Sequence, residues 1–193
     1  LDSYVHASMR SNRIPGFAVA VVRDGAVVYS AGYGIADPTR TAVDADTPFL
    51  IASVSKSFTA AAIMQLVERG LVDLDAPVQR YLDSFALADK ASASSITVRH
   101  LLNHTSGLPP EAEYRVASLR GDDVSIAHMV QRMASLTTTA IPGTLFQYNN
   151  ANYIILGALI EEVSGTSYAA FINDNILRPL SMQHTFLDGE IGR

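Results

Sequence analysis

Two β-rich runs, Gly16–Val22 and Ala26–Ala31, flank the tripeptide Arg23-Asp24-Gly25. Asp-Gly between such runs is a strong hairpin signal, because both central residues of the tight turn need positive φ. The first run is apolar at nearly every position, which predicts a strand covered on both faces. A lone two-stranded hairpin is marginal in water, so this strand should have a further neighbour. No later segment reads as a convincing strand. The chain is therefore expected to stop before its sheet is complete.

The rest of the chain reads as helical. A short helix is expected over residues 2–12, before Pro15-Gly16. A loop rich in Asp, Pro and Thr runs from Asp37 to Pro48. Residues 53–69 predict a helix ending at Gly70. Its body from Phe58 to Val67 is apolar nearly all round, which predicts a central buried helix. Shorter helices are expected over Arg99–Asn103, 124–135 and Ser167–Leu177. Asn150–Val163 is the strongest of the later segments, with apolar Ile154, Ile155, Leu156, Leu159 and Ile160, and it ends at Ser164-Gly165.

Composition narrows the function classes. With 193 residues and 48% hydrophobic content the chain can bury a sizeable core. Twelve Arg and two Lys are scattered singly in a chain of net charge -5, so there is no basic stripe for nucleic acid. The absence of cysteine removes disulfides, thiolate metal sites and Cys nucleophiles together. No apolar run reaches the ~18 residues of a membrane span.

Ser53-Val-Ser-Lys56 fits S-x-x-K. Lys56 is the one charged residue between Asp46 and Glu68. A buried ammonium without a partner is costly, and lysine, unlike arginine, can respond by releasing its proton. Positions three apart share a helix face, so Ser53 Oγ and Lys56 Nζ can meet across one turn, whereas Ser55 is the poorer candidate. A neutral amine beside a hydroxyl activates serine as a nucleophile. The same pattern also suits an N-capping Ser53 and a Lys56 that snorkels to solvent.

Three segments carry a resemblance to a known family. Asp46 to Ala60, around Ser53-Val-Ser-Lys56, resembles the nucleophile segment of the serine β-lactamase-related family, which includes penicillin-binding proteins, class C β-lactamases, DD-peptidases and certain esterases. Ile96-Thr-Val-Arg-His-Leu-Leu-Asn-His-Thr-Ser-Gly-Leu-Pro109 resembles a second family segment, and Phe146-Gln-Tyr-Asn-Asn-Ala-Asn-Tyr153 resembles its Tyr-x-Asn motif. All three stand in family order over nearly the whole chain. The resemblance implies a β-lactamase/transpeptidase-like α/β (α+β) fold, with an antiparallel sheet flanked by helices, a mainly helical region and the C-terminal strands missing. Residues 1–70 would form the sheet part with the nucleophile helix of a single incomplete domain, and 71–193 the mostly helical part.

The same resemblance assigns roles. Ser53 would be the nucleophile, Lys56 and Tyr148 its proton-handling partners, and Asn150 a substrate-amide ligand that contacts Lys56. Tyr148 also fits a plain packed tyrosine ahead of a helix capped by Asn149 or Asn150. Asn149 stands where the family more often has Ser, at a position read as tolerant. No metal or cofactor is implied. The expected reaction is hydrolysis of a β-lactam, a D-Ala-type peptide or an ester through an acyl-enzyme; the residues themselves leave the compartment open, and only the resemblance favours an extracytoplasmic or periplasmic setting. The alternative is a catalytically incomplete fragment, or a penicillin-binding homologue without turnover.

His104-Thr-Ser-Gly107 looks like the family's Lys/His-x-Gly motif, but it follows a helix and precedes Tyr148, so a structural role is expected. The true third motif, whose strand supplies an oxyanion-hole N–H, is expected beyond Arg193. Residues 1–193 alone are then expected to be hydrolytically inactive and self-associated, unless a second chain or a swapped copy completes the sheet. Two rival readings are weaker. Gly165-Thr-Ser-Tyr-Ala169 lacks the strand a nucleophile elbow needs. His100-Leu-Leu-Asn-His104 lacks the Glu and third ligand of a zinc site.

Overall fold

The computed structural model describes residues 1–112 and 125–187. Compact packing divides the chain into Leu1–Leu50 and the residues from Ile51 onward.

In the first unit, helix α1 (Asp2–Asn12) precedes strands β1 (Gly16–Arg23) and β2 (Ala26–Gly34). The strands pair antiparallel from Gly16↔Gly34 to Arg23↔Ala26, with a bulge between Val21 and Val22. Asp24 and Gly25 turn the hairpin at φ 51° and 76°, the left-handed geometry their residue types tolerate. Asp2 Oδ1 accepts hydrogen bonds from the phenols of Tyr29 and Tyr33, each at 2.6 Å, and ties the start of α1 to β2. Val5, Tyr33 and Val43 are buried. Among the described residues β1 pairs with β2 alone, and Val22 is 63% exposed. The second neighbour expected for β1 is not found among the described residues, and the strand is left exposed as it would be without one. Coverage of a strand face is set by neighbours, which its own apolar run does not supply.

The second unit is helical: α2 (Ser55–Glu68), α3 (Lys90–Ser95), α4 (Val98–Leu102), α5 (Ile126–Gln131), α6 (Asn150–Ser164) and α7 (Tyr168–Ile172). A 3-10 turn, Ala52–Val54, leads into α2, and a π-helical turn, Asn173–Leu177, continues α7. The core centres on α6, whose Ile155, Leu156, Leu159 and Ile160 are fully buried. Ala62, Ile63 and Leu66 of α2 and Leu101 of α4 share that core, as do Phe85 and Ile96. Each such Leu, Ile or Phe contributes about 1.5–3 kcal/mol by burial.

Several helix expectations need correction. Helix α2 buries one face only: Thr59, Ala62, Ile63 and Leu66 are inside, while Met64 is 47% exposed. Alanine makes a helix read as apolar without requiring burial, and Ala60 to Ala62 inflate that signal. The helix expected over 124–135 runs from Ile126 to Gln131 and gives way to turns, with residue 124 outside the described residues. Ser167–Leu177 divides into α7 and the π turn. Helix α3 has no apolar periodicity to announce it; the Asp89 side chain caps it by accepting from the Ala91 and Ser92 amides.

Candidate active site

The site is built on three pieces of the second unit: the 3-10 turn before α2, the start of α6 and the turn His104–Gly107. Ala52 has φ 45°, the left-handed region that a non-glycine residue enters at a cost of about 1–3 kcal/mol. Such strain, one residue ahead of Ser53, is held in place by the structure around it.

Ser53 Oγ lies 2.7 Å from Tyr148 Oη and accepts a hydrogen bond from Lys56 Nζ at 3.0 Å. Ser53 is not an N-cap: α2 begins after Val54 and has no side-chain cap. Ser55 and Ser57 are engaged elsewhere, donating to the carbonyls of Ala52 at 2.6 Å and Val54 at 2.7 Å. Of these three serines, only Ser53 points its hydroxyl at both a phenol and an amine. Lys56 is half-buried rather than enclosed. Its Nζ stands 5.0 Å from the Tyr148 ring centroid and 5.7 Å from that of Tyr153. Two aromatic faces thus flank the Lys56 nitrogen. Tyr153 donates its phenol to the Leu102 carbonyl at 3.2 Å, and burial raises its pKa, which keeps that hydroxyl protonated.

Asn150 opens α6 and lines a pocket of about 250 Å³ together with Lys56, Thr59, Met129 and Tyr153. Asn149, read from sequence as a tolerant position, has specific work instead. Its Oδ1 accepts the Ala151 amide at 2.9 Å and caps α6, while its Nδ2 donates to the Pro109 carbonyl at 2.8 Å. It is buried, so both ends of the amide are satisfied inside the protein.

The His104–Gly107 turn lies beside the site, a placement that sequence reasoning misses. His104 is buried, with φ 57°, and its ring centroid is 4.5 Å from that of Tyr148. The backbone of this turn holds the segment that leads into Tyr148. Gly143 N donates to Thr105 O at 2.7 Å and Gln147 N to His104 O at 2.8 Å. Ser106 Oγ donates to Asn152 Oδ1 at 2.6 Å. A sequence clue does exist: Asn149 and Asn152 stand three apart at the start of an apolar helix, where buried amides need partners. His100, the other half of the His100/His104 pair, is occupied by a capping box in which its Nδ1 accepts the Thr97 amide at 3.3 Å.

Comparison with known proteins gives a consistent result. The family described as Beta-lactamase matches residues 1–191. Protein flp of Staphylococcus aureus (strain MW2) is 32% identical over 190 residues, which is 96% of this chain and 37% of that protein. The octameric penicillin-binding protein homologue from Pyrococcus abyssi is 35% identical, with a TM-score of 0.75 over 94% of this chain and 42% of that one. EstCE1, a hydrolase with promiscuous acyltransferase activity, is 28% identical, with a TM-score of 0.81 over 93% of this chain and 50% of that one. The chain therefore spans about half or less of the length of the proteins it matches. Its fold is the β-lactamase/transpeptidase-like one expected from the sequence.

Proposed function

Since this chain belongs to the β-lactamase family, we propose that it carries the nucleophile half of a serine acyl-transfer site, with Ser53 attacking an amide, lactam or ester carbonyl. The observation that carries this reading is the position of Ser53 Oγ between Lys56 Nζ at 3.0 Å and Tyr148 Oη at 2.7 Å. In the proposed step the neutral Lys56 amine takes the Tyr148 phenol proton, the phenolate takes the Ser53 proton, and the Ser53 Oγ–carbon bond forms. The carbonyl's bond to its nitrogen or oxygen leaving group then breaks, and Tyr148 returns the proton to that group. Water releases the acyl group by the same route in reverse. A free phenol has a pKa near 10, so a tyrosine used as a base needs adjacent positive charge. The Lys56 ammonium beside the Tyr148 ring supplies that charge. Asn150, two residues after Tyr148 in the Tyr-x-Asn motif that the family resemblance supplies, is assigned to the substrate's amide.

The test is covalent labelling by a fluorescent penicillin and by a fluorophosphonate. Ser53→Ala should abolish labelling and Ser55→Ala should preserve it. Labelling that survives Ser53→Ala would end the assignment. Release of product is measured separately on a chromogenic cephalosporin and a p-nitrophenyl ester. Labelling without release identifies a penicillin-binding homologue rather than a hydrolase.

A further inference from the structure

His104 is a buried titratable group that the proposed chemistry leaves unused. Two donors converge on its Nδ1: the Asn149 amide at 3.3 Å and the Asn152 side-chain nitrogen at 3.1 Å. The orientation of the Asn152 amide follows from its neighbours. The Leu108 amide donates to Ser106 Oγ at 3.3 Å, and Ser106 donates its own proton to Asn152 Oδ1. Asn152 Nδ2 is left to face the imidazole. An Nδ1 that receives two N–H groups carries no proton, so His104 is the neutral Nε2–H tautomer.

We propose that His104 is a positioning residue for Tyr148, one whose protonation at Nδ1 disconnects the Tyr148–Asn149 segment and gives the site a built-in acid limit. Its ring lies against the Tyr148 phenol at 4.5 Å, and its Nδ1 holds the amide of the next residue, Asn149. A proton on Nδ1 sets an N–H against the two N–H donors already there. The buried Asn149 amide then loses its acceptor, and the ring that supports Tyr148 must shift. Among the described residues, the titratable groups facing the imidazole are Lys56 on α2, Tyr148 ahead of α6 and Tyr153 on α6. Burial and the Lys56 charge both hold the His104 pKa below its ordinary 6.5, so the neutral form prevails at neutral pH. The catalytic consequence rests on Tyr148 being the proton carrier at Ser53.

The test has two independent arms. In the first, the His104 tautomer, the Asn149 amide and the Tyr148 ring carbons are followed by NMR from neutral to acidic pH. His104 should be the Nε2–H tautomer, and the signals of all three residues should move together with one apparent pKa below 6.5. In His104→Asn, whose short amide can accept the Asn149 N–H but cannot titrate, the Tyr148 and Asn149 movements should vanish. Flat Tyr148 and Asn149 signals through the imidazole titration, or an Nδ1–H tautomer, overturn the proposal. The second arm measures the fluorophosphonate labelling rate. His104→Asn should slow it by on the order of tenfold to a hundredfold, as a misplaced catalytic group does. An unchanged rate overturns the positioning role. A wild-type chain without Ser53-dependent labelling whose NMR signals still titrate together refutes the acyl-transfer reading but supports the His104 coupling.

Discussion

Tyr148 Oη stands 2.7 Å from Ser53 Oγ across 95 residues of sequence. Two packing relationships bring them together. Helices α2 and α6 share one core through Ile63, Leu66, Ile155 and Leu159, and this fixes the floor of the site. The turn His104–Gly107 then holds the segment approaching Tyr148 by backbone hydrogen bonds from Thr139, Gly143 and Gln147.

Removal of the Tyr148 hydroxyl tests its role directly. Tyr148→Phe keeps the ring against His104 and deletes the atom nearest Ser53 Oγ. Labelling of Ser53 should slow by on the order of 10²–10⁴-fold, the usual contribution of a positioned acid–base group. The residue is 48% exposed. Its stability in urea should therefore change by no more than a surface substitution does, about 0.5 kcal/mol. Equal labelling rates in the two proteins would remove Tyr148 from the reaction.

Lys56→Arg separates charge from proton transfer. Arginine keeps a cation beside Tyr148 and cannot give up its proton. The variant should label Ser53 almost as poorly as Lys56→Ala. Arginine retaining most of the wild-type rate would mean that Lys56 acts through its charge alone.

Gly107→Ala probes the turn beneath the site. Gly107 has φ 73°, and an added Cβ would collide with the Ala140 carbonyl oxygen, a backbone atom with little room to move. Destabilisation of about 1–3 kcal/mol is expected in urea. Gly25→Ala is the comparison, since φ there is 76° with open space around it. It should cost less, about 1–2 kcal/mol for the left-handed backbone alone. Equal losses would show that the Ala140 contact yields easily.

Stability should depend on pH through His104. Its folded-state pKa is depressed by burial and by Lys56, so the unfolded chain binds the proton more readily. The contribution is fully present above the unfolded pKa of about 6.5 and is lost as pH falls through the folded pKa. The carboxyls of Asp37, Asp75 and Asp89 are also depressed, by hydrogen bonds from Thr39, Arg99 and Ser92 respectively, and Asp37 lies at about 2. They lose their contributions at lower pH, so the two windows are separable. Denaturation free energies from about pH 7.5 down to about pH 5 should fall more steeply for the wild type than for His104→Asn. Parallel curves would show that the imidazole does not titrate with folding.

The hairpin, α2 and α6 are legible in the sequence because each depends on local terms, whereas the fold class comes from resemblance to a family. Asp24-Gly25 needs a tight turn, Ile155 to Ile160 needs a core, and S-x-x-K needs a single helical turn to bring Ser53 and Lys56 together. Pairing Ser53 with Tyr148 is a different matter. Periodicity carries no information about which residues meet across 95 positions, and only resemblance to a family suggests it. Tertiary structure alone decides the burial of α2, since alanine is at home inside or outside. It also decides the use of Asn149 and the place of His104. A buried polar side chain takes its role from the donors and acceptors around it, and here these come from Ser106, Asn149 and Asn152, which only folding brings together.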